Sequence, residues 1–88
     1  MPEIIVPISL LSNTAKDFSK AQKDTAAIRV KLNKKMKNLE KTWNDLSKQQ
    51  IFRYYQELDQ QLVASNEIMS ILAQQMQAIA ERYAAINK

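Results

Sequence analysis

The sequence predicts an all-α protein: an antiparallel two-helix hairpin that dimerises into a four-helix bundle. Three observations carry this. The chain contains no Gly, and its only two Pro residues are Pro2 and Pro7, so nothing breaks a helix after the first few positions. Apolar residues recur at steps of three and four along two long segments, the spacing of a helix face and not of a strand. Between those segments lies one strong interruption, Asn44-Asp45-Leu46-Ser47, next to the only tryptophan, Trp43. With 88 residues, 45% of them hydrophobic and 25% charged, the chain fits one folded domain covering residues 1–88.

The N-terminal run from Ile4 to Leu11 is apolar but does not suit a cleavable secretory signal. Glu3 stands where a basic region is needed, and Pro7 lies within the run. Ile4-Ile5-Val6 reads as an extended lead-in. Pro7 suits a first helical turn, while Thr14 with Asp17 offers a capping box, so the first helix is expected from about residue 9. It should run to about residue 42 along the seam Leu11, Ala15, Phe18, Gln22, Thr25, Ile28, Leu32, Met36, Leu39 and Trp43. Polar Gln22 and Thr25 weaken the middle of that seam.

The corner is placed at residues 43–47. Asn44 and Asp45 are the non-glycine types that best tolerate a left-handed helix end, and Ser47 with Gln50 reads as a capping box for the second helix. Trp43 is expected to pack as a core residue closing this end of the hairpin. The second helix is expected over about 48–86, on the seam Phe52, Tyr55, Leu58, Leu62, Asn66, Met69, Leu72, Met76, Ile79, Tyr83 and Ile86.

From Ile68 onward the apolar surface widens to an arc of roughly 160° at 100° per residue. Ala64, Ile71, Ala78 and Ala85 mark one border of it at seven-residue spacing. One partner helix covers a single seam, so a monomeric hairpin leaves much of this arc wet. A second hairpin covers it, and Ile68, Ile71, Leu72 and Met76 are the expected interface residues.

The composition argues against several chemistries. There is no Cys and no His, which removes thiolate chemistry, the commonest general base and the commonest metal ligand. The acids are scattered, with no nucleophile–base pair, no Gly-rich phosphate loop and no ligand cluster. The expectation is a non-enzyme with no cofactor, no metal and no small-molecule substrate. No stretch reaches the ~20 apolar residues that span a bilayer. The net charge is +4, concentrated in the first half: through residue 50 there are ten Lys and Arg against five Asp and Glu. This supports an alternative reading, a basic helical protein for nucleic acid or anionic membranes. Against nucleic acid, no aromatics are interleaved with the basic run for base stacking.

A helical hairpin of this length with a Trp at its corner resembles the WXG family, the small early-secreted-antigen-like proteins of type VII secretion. The resemblance covers nearly the whole chain and rests on the Ile-rich lead-in, Leu39 four residues before Trp43, the aromatics Phe52 and Tyr55 after the corner, and Tyr83 near the end. The motif departs from the family in two places. Its Trp-any-Gly is here Trp43-Asn44-Asp45. Its Tyr-and-acid export signal would begin at Tyr83, but the matching acidic position is Asn87, a remnant at most. These departures resemble the accessory helical proteins that pair with LXG-type toxins. The resemblance implies a protein made in the bacterial cytoplasm and secreted by the type VII pathway, as a substrate or as export partner of a larger effector. It would form a homodimer in isolation and meet a related helical protein or LXG-type effector, and the secretion ATPase, in the cell.

Overall fold

The computed structural model describes residues 7–86, which form two helices, α1 (Ile8–Thr42) and α2 (Ser47–Ile86), packed on each other as an antiparallel hairpin. The lead-in at Ile4-Ile5-Val6 and the position Asn87 lie outside the described residues. The hairpin is a rod of 66 × 21 × 13 Å. Helices of 35 and 40 residues account for that length, at about 1.5 Å per residue.

α1 begins where Pro7 permits. Pro7 sits at the N-cap in extended backbone and makes no side-chain cap; its carbonyl accepts the first helical bond, from the Leu11 N–H at 3.1 Å. The capping box at Thr14 does not form. Thr14 lies within the helix, and its hydroxyl donates back to the Leu10 carbonyl at 2.7 Å, the usual outlet for a threonine inside a helix.

The corner also differs from expectation. No described residue has positive φ, so neither Asn44 nor Asp45 is left-handed. α1 instead leaves its axis at Trp43, which is extended (φ −98°, ψ 111°) while its N–H still bonds the Leu39 carbonyl at 3.0 Å. The cap of α2 is Asp45, not Ser47. Its carboxylate accepts the Ser47 N–H at 3.2 Å and its carbonyl accepts the Lys48 N–H at 3.1 Å. A carboxylate there also suits the positive end of the α2 dipole. Lys48 ties the corner together, donating from Nζ to the Glu40 carbonyl at 3.1 Å and lying 5.9 Å from the Phe52 ring centre. Trp43 is half-buried, short of the core position expected for it, and packs against Phe52 at this end of the rod in a tilted pair with ring centres 6.3 Å apart.

The seam between the helices follows a strict three–four alternation. On α2 the inward residues are Phe52, Tyr55, Asp59, Leu62, Asn66, Met69, Ala73, Met76, Ala80 and Tyr83. On α1 they are Ala15, Phe18, Gln22, Thr25, Arg29, Leu32 and Met36. Ile28, Leu39, Leu58, Leu72 and Ile86, expected in these seams, are exposed instead, and next to Ile28, Leu58 and Leu72 the residues Arg29, Asp59 and Ala73 take the contact. Among the described residues only Ala15, Ala73 and Ala80 are buried, and no large side chain is fully covered. Two helices cannot enclose a large residue between them; only small ones on the line of closest approach lose nearly all contact with water.

Candidate interaction surface

The alternation divides the rod into two broad faces. Positions that precede the inward residues of α2 by one form a second row, on which Ile51, Tyr54, Leu58, Ile68 and Leu72 are exposed apolar residues, interrupted by Gln61, Ser65, Gln75 and Arg82. In an antiparallel pair, the equivalent flanking row of α1 falls on the same face. There Leu10 and Ile28 are exposed among Asp17, Asp24, Lys31 and Lys35. The apolar material of this face therefore belongs mainly to α2.

Of the expected interface residues, Ile68 (59% exposed), Ile71 (57%) and Leu72 (37%) stand out from the hairpin, with Leu72 and Ile68 on the second row and Ile71 on the outer side of α2, where it borders a groove with Ser70 and Gln74. Met76 is half-buried on the inner seam, so the structure separates it from the other three. Tyr83 is likewise half-buried on the inner seam. Between Gln60 and Ala80 the single charged residue is Glu67, which leaves this length of α2 with almost no charge to desolvate on contact.

The opposite face carries a shallow groove of about 450 Å³, with Ala15 and Ala73 among its lining beside Ser19, Gln22, Ser70, Gln74 and Gln77. The Ser12 hydroxyl donates to the Gln77 amide oxygen across it at 3.3 Å.

Halfway along the rod the seam itself is polar. Arg29 grips Asp59 with two bonds, Nε to Oδ1 at 2.8 Å and an Nη to Oδ2 at 3.1 Å, and both side chains are about a quarter exposed (29% and 25%). Bidentate geometry fixes the helices against sliding better than a point contact would. The hydrogen bond from Arg29 holds the Asp59 carboxyl below its ordinary value, and that same bond, together with the carboxylate's charge, raises the guanidinium. One turn away the Tyr55 hydroxyl donates to the Asn33 side-chain oxygen, and burial, helped by the Asp59 charge, pushes the phenol up. Further along, the Asn66 Oδ1 is buried with no hydrogen-bond partner. The sequence reading missed this layer because it followed hydrophobicity. The usable signal was the strict alternation, which carries an Arg and an Asp to inward positions thirty residues apart.

Among the described residues no three His, Cys, Asp or Glu side chains gather where they could hold a metal ion, and no helix is long and apolar enough to cross a membrane. No family model, no curated protein and no solved structure matches the chain.

Proposed function

We propose that this protein is a small helical partner in type VII secretion, exported itself or escorting a larger effector, and that it acts by helix–helix binding without catalysis. The observation that carries the reading is the second apolar row of α2, uncovered in the single hairpin. Fully burying side chains such as Ile68, Ile71 and Leu72 is worth about 1.5–3 kcal/mol each, and a row of them is more than a solitary soluble rod leaves in water. A second hairpin laid on this face would complete a four-helix bundle, as a homodimer in isolation and as a heterocomplex with a related helical protein or an LXG-type effector at the secretion ATPase.

The corner supports the WXG resemblance despite the missing glycine. Trp43 turns the chain in extended backbone, so the third motif position needs no left-handed residue, and Asp45 contributes a helix cap that glycine cannot make. The basic excess of α1 would draw a partner with an acidic helical face, chiefly by speeding and orienting the encounter.

The first test is the apolar row. Ile71→Glu should shift the protein towards monomer in sedimentation analysis with helicity unchanged, since Ile71 is exposed in the hairpin and a charge there is desolvated only in the complex. A variant as oligomeric as the parent places the contact elsewhere. The second is a pull-down from the native cell at high salt, followed by export assays with and without the recovered partner. Normal export after deletion of every candidate helical and LXG-type partner would end the export-partner reading.

A further inference from the structure

The hairpin's closed end combines an exposed apolar residue that lies outside the proposed partner surface with the chain's basic excess. Leu46, in the middle of the corner, is 87% exposed, the most exposed large apolar side chain among the described residues. Around it the chain is basic. Between residues 34 and 53 there are six Lys and Arg (Lys34, Lys35, Lys37, Lys41, Lys48 and Arg53) against Glu40 and Asp45. The whole formal excess of +4 thus sits at this end, and the remaining residues carry seven charges of each sign. Lys37 and Lys41 are exposed, and no described acid forms an ion pair with either. Of the two acids in this stretch, Glu40 is next to Lys41 in the chain, and the Asp45 carboxylate serves the cap of α2.

We infer that the closed end of the hairpin is a docking tip for the surface of an anionic lipid bilayer, with Leu46 entering the interface and the surrounding lysines meeting the headgroups. An apolar apex inside a basic collar matches a surface that is negative outside and apolar a few ångströms below. A nucleic-acid backbone would use the lysines but has nothing to offer a protruding leucine. The Trp43–Phe52 pair and the Lys48 bond to the Glu40 carbonyl tie the corner together, which limits the ordering needed on docking. The rod would then stand end-on, its apolar α2 row free for a protein partner.

The experiment is co-sedimentation of the full chain with vesicles of phosphatidylcholine alone or mixed equally with phosphatidylglycerol, at low and high salt. Binding is expected to the anionic vesicles only, and to weaken as salt screens the collar. Leu46→Gln should weaken it about tenfold, the scale of a leucine withdrawn from an apolar surrounding. Lys37→Gln and Lys41→Gln should each weaken it about fivefold. All three positions are exposed, so circular dichroism should find the hairpin intact. Trp43 is the only tryptophan, three residues from the apex, and lipids brominated high on the acyl chain should quench it in the bound state. No binding to anionic vesicles, equal binding by Leu46→Gln, or an unquenched Trp43 showing the rod lying flat, each overturns the proposal. So does tighter binding to duplex DNA that ignores Leu46→Gln, which would make the collar a nucleic-acid surface.

Discussion

The open half of the rod and its middle are built by opposite means. Near the termini the helices approach on alanine: Ala15 from α1, Ala73 and Ala80 from α2, the only buried residues described. In the middle they meet largely through Gln22, Thr25, Arg29, Asp59 and Asn66, with Leu62 the apolar residue between the last two. Alanine contacts bring backbones close and gain dispersion along their length, but one alanine pair resembles the next, so they say little about register. The ion pair and amides contribute little burial, yet the Arg29–Asp59 fork fits only one alignment of the helices. The comparison teaches that proximity and register are assigned to different segments of one seam.

The largest effect is expected where the approach is tightest. Ala80→Leu forces three extra carbons into a site 3% exposed, and overpacking of this kind costs about 1–3 kcal/mol. Urea denaturation should register that loss, whereas the same change at exposed Ala85 should leave the midpoint nearly unmoved. Equal effects at the two sites would mean that the helices do not close on alanine.

An effect no larger, and of opposite sign, is expected in the middle. Asn66 places a buried oxygen against the seam with no donor, and an unsatisfied group of this type costs about 1–3 kcal/mol. Asn66→Leu should therefore raise the urea midpoint. A polar residue at such a position also restricts register, so spin-label distances between the helices should broaden in the variant as the midpoint rises. A drop in stability would show that Asn66 finds a donor in solution.

What was legible in the sequence follows from this division. The helix ends fell within a residue of their expected places because no Gly or Pro competes with a helix between Pro7 and the corner, and Asn44-Asp45 is a break on any reading. The weak middle was visible in Gln22 and Thr25. Most of the inner row was visible as well; it was missed at Arg29, Asp59, Ala73 and Ala80, where the more hydrophobic neighbours Ile28, Leu58, Leu72 and Ile79 were taken. Two helices alone favour the reverse. Close approach selects the small residue, a charge with a partner across the gap can sit beside it, and branched apolar residues move to the flank where a further helix can cover them. The apolar row of α2 was thus expected as a wide arc around Ile71, and Met76 and Tyr83 were expected in the inner seam, but that Leu72 leaves the seam while Met76 stays in it needed coordinates. The choice between Asp45 and Ser47 as cap was likewise hidden, since both residue types cap helices well.

The smallest effect expected is also the most specific, and it concerns pH. Arg29 holds the Asp59 carboxyl below the ordinary 3.8, chiefly through the hydrogen bond and further through its charge. A carboxyl with a depressed value in the folded state stabilises the fold above the unfolded value, and that contribution disappears as pH falls through the folded one. Its window therefore opens near pH 4 and extends downward. Tyr55 works in the other direction. Burial and the Asp59 charge raise it above the ordinary 10.0, so its contribution is complete below that value and is lost as pH rises through the raised one. One substitution, Asp59→Asn, should blunt both limbs, because it removes the carboxylate that Arg29 holds and the charge that helps raise Tyr55. Salt should reduce the acid limb in the parent, since the pair is a quarter exposed and open to screening. The measurement is the urea midpoint from pH 2 to 11 for both proteins. Parallel curves would show that the pair, although bidentate, does not couple to folding, and register would then rest on the amides alone.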